Sequence, residues 1–189
     1  MTIKIEVKRA IIHFLICLTI VLVSMETRIV WPLFYLLIFG LILSVISKKC
    51  RIPLISWLLE SFEKPQYLKT FPGKGVLFLV AGCLLVLKLF SNEIAFAAIA
   101  IVAIGDPLSH LIAGNFEGKL LKRKSLSGLL LSIILSSVAA SYFVAFAIVF
   151  AAAIVALTAE VLVIKLGEDP VDDNILIPLV AGTIIYLLI

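Results

Sequence analysis

Apolar residues fall in long blocks rather than in the short alternating runs of half-buried strands, and the blocks are long enough to predict helices throughout. Ala10 to Met25 forms the first and Ile29 to Ser47 the second, stopped by Lys48, Lys49 and Arg51. Ile52 to Phe62 is shorter, with Ile52, Ile55, Leu58, Leu59 and Phe62 at helical spacing, which predicts an amphipathic helix lying on a surface. The turn signal Phe71-Pro72-Gly73-Lys74-Gly75 opens a third block that ends near Phe90, and Asn92 with Glu93 marks the next turn. Ile94 to Ala113 is the fourth helix, expected to be interrupted at Gly105-Asp106-Pro107. From Leu129 to Ile164 the chain is almost wholly apolar. A single helix there would be about 54 Å long at about 1.5 Å per residue, nearly twice a bilayer's hydrocarbon core, so it must double back. The break is placed at Ser141 to Val144, which gives a fifth helix capped by Ser125 and a sixth from about Ala145 to Leu166. Asn174 to Ile189 is the last.

Composition turns these helices into expected membrane spans. Of 189 residues 63% are hydrophobic and 15% charged, with a mean hydropathy of +1.25, against about 25% charged in ordinary globular chains. The fold class expected is therefore all-α: an integral membrane helical bundle of about seven transmembrane helices in a single domain, 1–189. The first helix has no small-residue cleavage site after it and is read as uncleaved. Of the 16 Lys and Arg, all but Arg28 and Lys88 fall on the N-terminal side of such a bundle, which makes the N-terminus cytoplasmic and the C-terminus external. The net charge of +4 follows this segregation, so nucleic acid is not an expected partner. Cys17, Cys50 and Cys83 have no spacing that suggests zinc or a disulfide framework.

The polar residues then change the picture. A carboxylate at membrane depth costs roughly 2.5 to 3.5 kcal/mol on insertion scales, so Asp106 and Glu160 are functional candidates. The seven-helix arrangement places Arg9 and His13, Lys74, Asp106 and His110, Glu160, and Asp172 to Asn174 all toward the cytoplasmic side. Acids beside lysines and glycine-bearing turns suit a magnesium and phosphate site, because Mg²⁺ takes hard oxygen ligands and lysines neutralise the remaining phosphate oxygens. Gly114 and Gly118 permit close backbone approach, and the N–H groups at Ser125 are available to an anion. His110 is expected to pack beside Asp106 and orient it. Asp173 and Asn174 suit either an N-cap or a ligand role.

These residues resemble the CTP-dependent lipid-alcohol kinases, a family of dolichol, phytol and related polyprenol kinases with a diacylglycerol kinase among them. The matching pieces are Lys8-Arg9 with His13, Gly105-Asp106 leading to Gly114 and Gly118, Lys124-Ser125-Leu126-Ser127-Gly128, Ala159-Glu160, and Asp173-Asn174-Ile175 with Pro178. They span nearly the whole chain in the family's order. Ser127 stands where the family's string has Glu, Pro107 replaces a small residue, and the step from Asp106 to Gly114 is one residue longer. The resemblance implies transfer of the γ-phosphate of CTP to a lipid hydroxyl at the cytoplasmic face of the membrane. It implies Asp106, Arg9 and His13 as catalytic residues and Gly114, Gly118, Lys124, Ser125, Gly128 and Asn174 as nucleotide-binding, to which the lysines beside the acids and glycine-bearing turns add Lys74 and Lys119. Asp106, Glu160 and Asp173 would hold Mg²⁺. A cytidylyltransferase that joins CTP to a lipid phosphate is the alternative enzyme, and a small transporter with a broken fourth helix the alternative from another class. The small-residue stretches Ala95 to Ala103 and Ala145 to Ala156 are the expected walls of a groove for an isoprenoid tail.

Overall fold

The structure, a computed structural model, describes residues 3–27, 30–50, 52–63, 65–113, 119–121, 124–162, 165–166 and 169–189. Among them are nine helices: α1 (Ile3–Thr27), α2 (Trp31–Ser47), α3 (Pro53–Phe62), α4 (Pro65–Thr70), α5 (Lys74–Leu89), α6 (Asn92–Ala113), α7 (Leu126–Ala140), α8 (Phe146–Val161) and α9 (Asp173–Leu188). The protein is all-helical apart from two small antiparallel ladders. In one, β1 (Lys119–Leu121) pairs with β2 (Lys124–Ser125), and in the other β3 (Lys165–Leu166) pairs with β4 (Asp169–Pro170).

Helix α6 is the axis of the bundle, in contact with α1, α5, α7, α8 and α9. Its apolar span is 72% buried, against 22% for that of α1. Small side chains allow this. Ala95, Ala97 and Ala98 of α6 are fully buried, as are Ala152, Ala153 and Ala156 of α8, and an alanine surface lets a neighbouring backbone come close. At Gly105 a Cβ would lie 2.8 Å from the Leu157 side chain, so glycine is what permits α8 to pack there. At Gly82 of α5 an added Cβ would run into the carbonyl of Asn174 and lie 3.2 Å from the Ile175 Cα, so this glycine admits the first turn of α9.

Several boundaries differ from those read in the sequence. Helix α1 begins at Ile3 rather than Ala10, because Glu6, Lys8 and Arg9 are themselves good helix formers and carry the helix past its apolar block. Helix α6 is continuous through Pro107 instead of broken there. The helix packs on several sides, and the Ser109 hydroxyl donates to the Asp106 carbonyl at 2.7 Å, while the carbonyl that loses its partner to Pro107 is that of Ala103. Helix α8 ends at Val161, not Leu166, since Lys165–Leu166 pairs with Asp169–Pro170. Ser125, the last residue of β2, directly precedes α7 at Leu126 and so stands at the N-cap position expected of it. The chain reverses at Ser141 to Ala145, as expected.

Two helices, Glu6–Glu26 and Asn92–Ile112, are long and apolar enough to cross a membrane, and the apolar helices 31–47, 126–140, 146–160 and 173–188 are shorter. The outside is hydrocarbon: Leu22, Leu36, Phe39, Val138, Tyr186 and Leu187 are each more than half exposed. Cys17 and Cys83 are buried and free, and Cys50 is exposed and free.

Candidate active site

Asp106 and His110 are four residues apart, so α6 presents both on one face, with His110 Nε2 3.2 Å from Asp106 Oδ1. Three other helices bring side chains to this pair. From α8, Glu160 Oε1 lies 3.9 Å from His110 Nε2, and from the first turn of α9, Asp173 Oδ2 lies 3.8 Å from the same nitrogen. From α1, His13 Nδ1 is 3.7 Å from Asp106 Oδ2, an ion-pair separation rather than a hydrogen bond. Each of Asp106, His110, Glu160 and Asp173 offers one ligand atom within 4.8 Å of the others, a spacing that a single divalent ion could span. Asp106 is 7% exposed in a bundle otherwise filled with alanine, leucine and isoleucine. His13 Nε2 and Asn174 Oδ1 are buried and have no hydrogen-bond partner among the described residues.

The start of α9 supplies the second half of the site. Asp172 is its N-cap, with Oδ1 accepting from the Asn174 backbone N–H at 3.2 Å and from Asn174 Nδ2 at 3.0 Å. Asp173 Oδ1 accepts from the same two donors at 3.0 and 3.3 Å. Asn174 therefore holds two adjacent carboxylates together. Lys74, the first residue of α5, faces this turn with Nζ 3.6 Å from Asp172 Oδ2. Its ammonium also lies over the rings of Tyr67 and Phe78, 5.1 and 5.3 Å from their centroids, which fixes its direction. Burial, and after it the neighbouring Asp173 carboxylate, pushes the Asp172 carboxyl up to about 6.

Of the residues singled out in the sequence, the structure gathers His13, Lys74, Asp106, Glu160, Asp173 and Asn174. Arg9 is half-buried one turn before His13 on α1. Gly128 is buried in the first turn of α7, while Lys119, Lys124 and Ser125 lie in the ladder that packs against α6 and α7. Gly114 and Gly118 lie outside the described residues. Two groups carry more than the sequence suggested. His110 is the hub that three carboxylates face, and Asp172 rather than Asp173 or Asn174 caps α9. Glu63, which sequence pattern placed after a surface helix, is 7% exposed. Nothing in its local pattern foretold that.

Four acids, two imidazoles and an ammonium at one end of an apolar bundle can bind a divalent ion and a polyanion, and can move a proton at His13 Nε2. Compared with family models, with curated proteins and with solved structures, the chain matches none.

Proposed function

We propose that the protein is an integral membrane lipid-alcohol kinase that transfers the γ-phosphate of CTP to the hydroxyl of a polyprenol-type alcohol at the cytoplasmic face. The observation that carries this reading is the convergence of Asp106, His110, Glu160 and Asp173 with Lys74 at hand. Support for the membrane comes from the apolar exterior and the one-sided distribution of Lys and Arg. The family resemblance of the motifs suggests the substrates.

The donor set fits Mg²⁺, which uses carboxylates together with substrate phosphates and, when bound, supplies charge neutralisation to the transferring phosphoryl group. Asp106, Glu160 and Asp173 would hold it. Lys74 neutralises phosphate oxygens, and Asn174 keeps the Asp172 and Asp173 carboxylates in place. Neutral His13 would use its buried Nε2 to accept the proton of the lipid hydroxyl as its oxygen bonds to the γ-phosphorus, with the Asp106 carboxylate 3.7 Å from Nδ1 stabilising the imidazolium that forms. The bond from that phosphorus to the β-phosphate bridging oxygen breaks, and CDP leaves.

Product analysis tests the reaction. Purified protein given CTP, Mg²⁺ and a polyprenol should release CDP and a lipid monophosphate, and chelation of the metal should stop both. Pyrophosphate release from a lipid phosphate would instead identify a cytidylyltransferase, and no turnover of any nucleotide with any lipid alcohol would remove the kinase reading. Lys74→Ala should raise the KM for nucleotide about tenfold, the effect of losing one charge-assisted contact of about 1.5 kcal/mol. An unchanged KM would take Lys74 out of the nucleotide site.

A further inference from the structure

An apolar groove runs along the seam of α1 and α6, passing the level of the acid cluster. Its first part, about 320 Å³, lies between Ala10 and Phe14 of α1 and Ala103 and Pro107 of α6. Its second part, about 300 Å³, continues past Cys17 and Val21 on one side and Ile99 and Ala100 on the other, and reaches Ala139, Tyr142 and Phe143. Phe14, Ala103 and Ile104 line both parts, so the two are one channel. It runs past the level of the chemistry, since Val7, Leu108 and Leu111 line it on the far side of Phe14 and Pro107, and the His13–Asp106 pair joins the same two helices. At its far end Phe143 stands edge-on to Tyr142 with centroids 5.2 Å apart and tilts against Phe96 at 5.6 Å, forming an aromatic wall. From Asp106 to Phe96 is ten residues of helix, about 15 Å, or roughly one leaflet of the hydrocarbon core.

We propose that this channel holds the single hydrocarbon tail of the acceptor alcohol, and that Tyr142 and Phe143, in the turn between α7 and α8, set the tail length accepted. The proposal rests on the kinase reading above and assigns its acceptor site. The lining leaves no charge for a polar ligand, and a tail lying there runs along the two helices that carry His13 and Asp106. It also relocates the groove expected from the sequence. Residues 99–103 of α6 are one wall, but α1 forms the other, because α8 is turned toward α7 and α9.

The test uses the full chain in mixed micelles with CTP, Mg²⁺ and a series of linear prenols from two isoprene units upward. Wild-type kcat/KM should rise with tail length and then level off or fall. Ala100→Phe, which narrows the channel, should cut kcat/KM for long prenols about tenfold, the scale on which a filled apolar pocket discriminates, and leave the shortest prenol and the CTP KM unchanged. Tyr142→Ala should shift the optimum to longer tails, and at 82% exposure that side chain is not needed for folding. Variants that change all lengths by one factor would overturn the channel while leaving the kinase intact. A wild type that phosphorylates no alcohol would sink the kinase reading. A prenol carrying a photoreactive tail then decides the channel separately: labelling confined to 10–21, 99–107 and 139–143 supports it, and labelling of α2 or the outer face of α9 overturns it.

Discussion

Replacing Asp106 with Asn is expected to lower the rate of lipid phosphorylation by about a thousandfold or more, the scale of losing a group that stabilises developing charge. The amide keeps the size of the carboxyl but not its charge, and two contacts suffer at once. Oδ2 no longer holds His13 Nδ1 as a carboxylate, and Oδ1 no longer holds His110. Stability should move the other way. A carboxylate buried at 7% exposure among alanines and isoleucines is costly to keep, so the variant should melt at or above the wild-type temperature. Loss of activity with retained or increased stability is what separates a chemical role from a helix-bracing one. Full activity in the variant would end the assignment of the site, and loss of fold would make Asp106 a structural residue.

Gly82→Val is expected to be damaging as well, from a position that touches no ligand. Its new side chain would meet backbone of α9 at Asn174 and Ile175, which cannot rotate away as the end of a side chain can. Overpacking typically costs 1 to 3 kcal/mol, and relief here requires α9 to move as a body. That motion carries Asp173 and Asn174 with it. Thermal melting should therefore fall and activity drop by about tenfold or more, with recovery on raising Mg²⁺ if the metal site is loosened rather than lost. Wild-type melting and turnover would mean that the α5 and α9 backbones lie farther apart than described.

Much of the helical order was legible because apolar block length is a strong signal: α5, α6, α7 and α9 begin and end within a few residues of the blocks in the sequence. The spacing of Asp106 and His110 likewise foretold one face. The chain reversal at Ser141 to Ala145 followed from length alone, since no helix could run on. What the sequence hid is tertiary. The ladders at Lys119–Ser125 and Lys165–Pro170 involve two or three residues each, too few for any period to register. Gly82 sits in an apolar helix like any packing glycine, and only the presence of α9 against it gives it a purpose. His110 looked subordinate to Asp106 because a sequence cannot show that α8 and α9 will aim carboxylates at it. The groove was half foreseen for the same reason: the small residues of α6 are visible, but which helix faces them is not.

The crowding of Asp106, Glu160 and Asp173 around the imidazole of His110 has a further meaning for the stability of the bundle. With Asp172 beside them, four carboxylates lie close together at one end of the bundle, and a bound cation would offset their mutual repulsion. Whatever neutralises that charge becomes part of what keeps helices α6, α8 and α9 together. Occupancy a hundredfold above the dissociation constant would add about 2.7 kcal/mol to the folded state. On the proposed function, nucleotide and divalent ion would then lengthen the protein's lifetime as well as support its turnover.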